Sequence, residues 1–345
     1  MHLHGDMIMR IKRPTIDEID EIADEFGLNL EFEDIESFKS LMEGPMSSYE
    51  RIDELVEPCP EVKYPRGKAF RPEQKDNPLN AWYYKTSIQG ASRGKLKGKT
   101  VAIKDNVCVA GVPMMNGCSA LESFIPEIDA TVVTRVLDAG AEIVGKAVCE
   151  NLCFSGGSHT TATPAVKNPH NHAHTSGGSS SGSAALVASG EVDMAIGGDQ
   201  GGSIRMPASW CGVYGLKPTH GLVPYTGAFP IEITLDHLGP ITNNVTDAAL
   251  MLEAIAGSDD MDPRQYNVKT EKYSKALTND INGLKVGVIK EGFDWEGSSE
   301  EDVDQSVIAA GKQLELLGAK VDQISIPFHL DGIHIWNAIA IEGAT

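Results

Sequence analysis

Residues 177–205 constrain this chain more than any other stretch. They read Gly177-Gly178-Ser179-Ser180-Ser181-Gly182-Ser183, then Ala184-Ala185-Leu186-Val187-Ala188-Ser189-Gly190, and later Asp199-Gln200-Gly201-Gly202-Ser203-Ile204-Arg205. Two Gly/Ser-rich loops flank an apolar helix and a short strand. Glycine lets backbone approach a partner closely, because there is no Cβ to hold it off. N–H groups at a glycine turn and at a helix start can hold an anion. The lysine of a G-x-x-x-x-G-K-[ST] loop is missing, so a P-loop is excluded. The second loop reads instead as an oxyanion hole ending in a nucleophile, Ser203.

The surrounding chain supplies an α/β frame. Thr100-Val101-Ala102-Ile103 reads as a buried strand that delivers Lys104-Asp105-Asn106 at its end, where open α/β folds place their sites. Residues 130–137 form an amphipathic helix, followed by Gly140 and a strand over 142–144. Residues 306–326 repeat that plan around Gly318. Residues 284–289 read as another buried strand and 246–255 as a helix. This alternation predicts a mixed central β-sheet covered by helices. Ahead of it, Thr15 and Glu18 form a capping box before Ile16, Ile19, Ile22, Ala23 and Phe26. A second helical stretch over 35–55 is interrupted near Gly44-Pro45. The reading is therefore a helical N-terminal module over 1–60, expected to mediate dimerisation, a proline-rich linker over 61–95, and the main domain over 96–345. Met7 and Met9 offer later starts, so residues 1–8 are read as a start-site artefact.

Composition narrows the function classes. A formal net charge of −20 excludes the basic footprint of a nucleic-acid binder. No apolar run is long enough for a membrane span. Six cysteines in 345 residues do not make a disulfide scaffold. They read as reduced thiols in a cytoplasmic protein, with Cys149, Cys153 and Cys211 as small core residues. His170, His172 and His174 alternate in a polar loop. No metal and no cofactor is expected.

Three segments together, Ala102-Ile103-Lys104-Asp105-Asn106, Gly177-Gly178-Ser179-Ser180 and Asp199-Gln200-Gly201-Gly202-Ser203-Ile204-Arg205-Met206-Pro207-Ala208, resemble the amidase signature family. The separations from Lys104 to Ser179 (179 − 104 = 75) and from Ser179 to Ser203 (203 − 179 = 24) are similar to those of its Lys–cis-Ser–Ser triad. The resemblance runs from about residue 70 to the end. Ser181 stands where glycine is usual, and Gln200 where threonine or isoleucine is common. Family members continue past this point, so the chain is expected to be truncated at its C-terminus.

What the resemblance implies is a site with Ser203 as nucleophile, Ser179 as relay and Lys104 as base, on the amidase signature fold. It implies a cis Gly178–Ser179 peptide, and an oxyanion hole from the N–H groups of Gln200, Gly201, Gly202 and Ser203. Elementary chemistry agrees on the roles. A serine hydroxyl needs a base, and no Ser–His–Asp pattern is present. A lysine serves only when neutral, which burial favours. A hydroxyl both donates and accepts, so it can relay a proton. Asp199, Arg205 and Ser180 are expected to support the loops by hydrogen bonds. Phe154, Leu235 and Trp336 are pocket candidates by the same resemblance.

The expected function is hydrolysis of small aliphatic or aromatic amides to acid and ammonia through an acyl-enzyme. Residues 112–117 and 227–232 look most like the broad-range amidases associated with nitrile degradation. The expected partners are a small amide and a second copy of the chain, with no nucleic acid and no membrane. One alternative is the A subunit of the glutamyl-tRNA(Gln) amidotransferase. Another, of a different class, is an inactive remnant serving only as an interaction module.

Overall fold

The computed structural model describes residues 11–55 and 59–344, so the start-site reading of residues 1–8 lies outside the described residues. The chain divides into two compact units, Met1–Cys59 and Pro60–Thr345.

The first unit is a helix pair, α1 (Ile16–Glu25) and α2 (Phe32–Glu54). Thr15 Oγ1 accepts from Glu18 N at 3.2 Å, and the Glu18 carboxylate accepts from Thr15 N at 2.7 Å. These bonds satisfy two donors that a helix start leaves open. Gly27 ends the turn at φ 68°. The interruption expected near Gly44-Pro45 does not occur, and α2 runs through it. Pro45 removes one ladder donor, while the Ser48 hydroxyl takes up the Gly44 carbonyl at 3.1 Å. Arg13 ties the chain start to α2 by reaching Glu43 at 3.0 Å and Glu50 at 2.8 Å. Only Ile19, Ala23, Ile35 and Met46 are buried among the described apolar side chains of this unit.

The second unit is built on a mixed six-stranded sheet. Its strands are β1 (Trp82–Gln89), β2 (Thr100–Lys104), β3 (Glu142–Ala147), β4 (Met194–Asp199), β5 (Tyr214–Gly215) and β6 (His237–Thr242). The order across the sheet is β1-β3-β2-β4-β6-β5. β2 is parallel to both neighbours, β3 and β4, while β1, β6 and β5 pair antiparallel. β1 falls inside the stretch read as linker, so the sheet begins ahead of residue 96. Its Trp82, Tyr83 and Ile88 are buried despite the prolines upstream.

Period-two alternation sorts the central strands onto two cores. Val101, Ile103, Met194 and Ile196 face α3 (Thr131–Asp138) and α6 (Val245–Ile255). Ala102, Ala147 and Ala195 face the other way and pack with α4 (Ser181–Ala188) and α5 (Arg205–Cys211). The alanines matter here, because α4 is buried along Ser181–Val187 and needs small neighbours. Each fully buried Ile, Leu or Val contributes about 1.5–3 kcal/mol. The β2–β4 register sets Ile103 beside Ile196, so Lys104 and Asp199 emerge at the same edge of the sheet.

Further on, β7 (Lys285–Ile289) and β8 (Lys320–Ile324) pair parallel as a separate two-stranded sheet, with α7 (Glu301–Leu316) between them and α8 (Gly332–Gly343) after. β7 is half exposed rather than buried, since one strand and one helix cover only one of its faces. Among the described residues, no helix is long and apolar enough to cross a membrane.

Candidate active site

Lys104 is the last residue of β2 and is 1% exposed. Its Nζ donates to Ser179 Oγ at 2.8 Å and to the Gly198 carbonyl at 3.0 Å. The neighbouring Asp105 fixes the strand end. Its carboxylate accepts from Met115 N at 3.0 Å and Asn116 N at 2.8 Å, and lies 3.1 Å from Lys146 Nζ. Burial raises the Asp105 carboxyl above its ordinary value, opposed by the Lys146 charge and the two N–H groups. The sheet thus holds two buried lysines side by side, one facing a carboxylate and one facing neutral oxygens.

The first glycine-serine loop delivers Ser179 across a cis Gly178–Ser179 peptide. Ser180 stitches this loop to the second one. Its Oγ donates to Gly198 O at 3.1 Å and accepts from Gly198 N at 3.1 Å, while its N–H donates to Ser203 O at 3.2 Å. Ser179 and Ser203 therefore sit on loops tied backbone to backbone, both serines buried.

Asp199 organises the second loop. Oδ1 accepts from Gly202 N at 2.8 Å, and Oδ2 accepts from Ile204 N at 3.0 Å. Arg205 closes on the same carboxylate through Nε at 3.0 Å and Nη2 at 2.9 Å. Burial by itself raises the Asp199 carboxyl. The Arg205 hydrogen bonds and charge, with the loop N–H groups, outweigh it and hold the group below the usual carboxylate range. This corrects one expectation. Gly202 is committed to Asp199 and is not a free oxyanion donor, whereas the N–H groups of Gln200, Gly201 and Ser203 have no backbone partner among the described residues. Gly202 lies at φ 131°, a conformation that side chains disfavour. Gly201 is needed for another reason, since a Cβ there would sit 2.5 Å from Trp336 Cε2.

A chamber of about 110 Å³ opens on Ser203, lined by Cys153, Phe154, Gln200, Gly201, Met206 and Trp336 among others. Phe154 and Trp336 thus reach it. Leu235 is not among its walls and sits in the turn closed by Leu235 N on Glu232 O at 3.1 Å. A larger hollow of about 490 Å³ adjoins at Phe154 and is walled by Leu152, Phe229, Pro230 and Ile231.

Three features escaped the sequence reading. The Gly198 carbonyl has no side-chain signature. Cys153, read as core, lines the chamber. It follows Leu152 in a turn where both adopt positive φ, 47° and 61°, without a glycine to signal it. Asp236 is buried, with Oδ2 accepting from Ile231 N at 2.8 Å and Glu232 N at 3.1 Å. Burial pushes its carboxyl up to about 6, against the pull of those N–H groups.

A strand-end lysine bonded to a buried serine lies beside a second serine, whose glycine loop is tied to the first loop through Ser180. The family model for Amidase matches residues 74–345. The chain is 48% identical over 338 residues to the enantioselective amidase of Rhodococcus rhodochrous, covering 96% of this chain and 64% of that protein. The A subunit of the glutamyl-tRNA(Gln) amidotransferase of Thermotoga maritima superposes with a TM-score of 0.73 at 36% identity, covering 78% of this chain and 59% of that one. The peptide amidase of Stenotrophomonas maltophilia superposes with a TM-score of 0.66 at 32% identity, covering 73% and 53%. The chain belongs to the amidase family. It spans less than two thirds of the length of each of these relatives.

Proposed function

We propose that this chain carries the catalytic core of an amide hydrolase acting on small aliphatic or aromatic primary amides. The observation that carries the reading is the 2.8 Å contact between Lys104 Nζ and Ser179 Oγ, with Gly198 O as the second partner of Nζ at 3.0 Å. A carbonyl can only accept, so Lys104 must donate to Gly198. A hydroxyl does either, so Ser179 can turn its proton toward a neutral Nζ. Ser203 Oγ then attacks the amide carbon, its proton passing to Ser179 as the Ser179 proton passes to Lys104. Gln200, Gly201 and Ser203 N–H stabilise the oxyanion. Collapse of the intermediate returns a proton through Ser179 to the leaving nitrogen, ammonia departs, and water repeats the sequence on the acyl-enzyme. The rings of Phe154 and Trp336 suit an apolar acyl group, and the likeness to an enantioselective amidase supports this substrate class. A cytoplasmic enzyme that self-associates through its helical N-terminal unit, beside nitrile breakdown, completes the reading.

The second reading, the A subunit of a tRNA-dependent amidotransferase, draws on the likeness to the Thermotoga protein. One assay separates the two. Ammonia release is measured from propionamide and benzamide, then from glutamine with and without the other amidotransferase subunits. The amidase reading expects release from the simple amides, fluorophosphonate labelling at Ser203, and loss of both in Ser203→Ala. Lys104→Arg, which cannot give up its proton, is expected to be as inactive as Lys104→Ala. Turnover of glutamine alone, dependent on partners, would move the assignment to the second reading. No turnover of any amide would leave the interaction-module alternative.

A further inference from the structure

The strand end after β3 carries two thiols, Cys149 and Cys153, both buried and unpaired. They converge on one atom. Cys149 Sγ donates to Asn116 Oδ1 at 3.4 Å and Cys153 Sγ donates to the same oxygen at 3.2 Å. Asn116 is a rigid acceptor, since its backbone is left-handed at φ 48° and its N–H is held by Asp105 at 2.8 Å. Sharing one acceptor oxygen brings the two sulfurs close to each other. Cys149 is sealed off, whereas Cys153 faces the chamber. A volume of about 110 Å³ exceeds the space of a few waters.

We propose that Cys153 is a modification site for small hydroperoxides entering the substrate chamber, with Cys149 as its resolving thiol, and that the resulting Cys149–Cys153 disulfide switches the site off. Electrostatics point the same way. Burial disfavours the Cys153 thiolate, but its polar neighbours, the Cys149 hydrogen bond first, lower its pKa below the usual thiol value, while burial and Cys153 raise that of Cys149. The thiolate is the nucleophile in such chemistry. Cys153 Sγ attacks one peroxide oxygen, the O–O bond breaks, and the departing hydroxide takes the thiol proton to leave as water. Cys149 Sγ then attacks the sulfenic sulfur, the S–O bond breaks, and the hydroxyl leaves with the Cys149 proton as a second water. With hydrogen peroxide, two thiols and one peroxide give one disulfide and two waters; an organic hydroperoxide releases its alcohol in place of the first water. The disulfide has no S–H to offer, so Asn116 Oδ1 loses both donors. Drawing Cys153 toward Cys149 also shifts the turn that carries Phe154, and removes a thiol from the chamber wall that Ser203 shares.

The test uses the full chain, first reduced and then titrated with hydrogen peroxide. Trypsin cuts at Lys146 and Lys167, so one peptide, 147–167, holds both cysteines and no other. That peptide is expected to lose the mass of two hydrogens and to regain it with dithiothreitol. Amide hydrolysis should fall and recover in step with the oxidised fraction. In Cys149→Ala, Cys153 should instead gain oxygen as sulfinic acid, and reductant should restore neither mass nor rate. The exposed Cys59 serves as internal control. A 147–167 peptide that stays a dithiol at a dose that oxidises Cys59 overturns the proposal. Activity loss that tracks another cysteine overturns the switch. The mass readout decides the thiol chemistry even if the chain hydrolyses no amide, so it stands or falls separately from the amidase reading.

Discussion

Asp199→Asn is the substitution that most directly probes the nucleophile loop. The side chain keeps its shape but loses its charge and one acceptor. If the amide oxygen stays on Gly202 N and Arg205 Nη2, the new NH₂ group faces Ile204 N, Arg205 N and Arg205 Nε, three donors now 3.0–3.3 Å away. A buried hydrogen bond to a charged partner is worth about 1.5–3 kcal/mol, so the Ile204 contact accounts for about 2 kcal/mol. The Arg205 fork adds only about 1 kcal/mol, discounted for solvent screening, because its side chain is 53% exposed. The expected loss is about 3 kcal/mol, or about 6–12 °C in Tm at 2–4 °C per kcal/mol. The pH dependence has a fixed sign. Asp199 titrates below the usual carboxylate range in the folded chain, so its contribution is present above the unfolded value of about 4 and fades as pH falls through the lower folded value. Guanidinium unfolding of wild type and variant at pH 7, with thermal melts down to pH 4 and below, reads both effects. A difference under about 0.5 kcal/mol at pH 7, the range of an ordinary surface change, would refute the claim that Asp199 holds the loop. So would a gap that does not narrow in acid.

Gly201→Ala is expected to drive Trp336 out of place, because the new Cβ meets three ring atoms at 2.5–2.7 Å. Overpacking of this kind costs about 1–3 kcal/mol; kcat/KM should fall, Trp336→Leu should partly restore it, and an unchanged single variant would show that the ring yields freely. Asp236→Asn is expected to be at least as stable as wild type at pH 7, because both N–H contacts go to Oδ2 and Oδ1 has no partner. With its folded pKa raised to about 6, Asp236 binds its proton more tightly when folded, so its favourable contribution below about pH 4 is lost as pH rises through 6. That loss is up to about 3 kcal/mol at about 1.36 kcal/mol per unit; a wild-type pH slope that persists in the Asp236→Asn variant would count against this. Deletion of residues 1–59 should turn a dimer into a monomer on light scattering, and an unchanged mass would contradict the role given to the helix pair.

Local signals made much of this molecule legible. The Thr15/Glu18 box closes on itself within one turn, and the apolar face of α3 and the β-branched residues of β2 bury in one shared core, so the sequence pattern and the packing coincide. Lys104, Ser179 and Ser203 were readable because their separations are part of a long pattern. β1 was hidden by Pro65, Pro72 and Pro78, which suggest a linker although the strand begins only at Trp82. β6 was hidden by Gly239-Pro240. A strand residue points its N–H and C=O to the same side, and the Pro240 carbonyl accepts from Leu216 N at 3.0 Å. The missing donor therefore faces away from β4 and leaves that ladder whole. The Gly202–Asp199 bond spans only three residues, a local turn contact that Asp side chains favour, whereas the seat of Cys153 depends on tertiary closure, which no local pattern encodes.

The parallel pairing of β2 with β4 also decides when this protein can come into being during synthesis. Ile103 and Ile196 are neighbours in the sheet but are separated by 93 positions (196 − 103 = 93) in the chain. Closing such a loop is paid for before any contact rewards it, which makes non-local parallel strands slow to form. As the polypeptide leaves the ribosome, Lys104 emerges long before Ser179 and Gly198, the groups it binds when buried. Until β4 arrives, β2 is an edge strand, and the lysine at its tip is an ordinary solvated cation. The Lys104–Ser179–Gly198 cluster thus forms at sheet closure rather than growing with chain length.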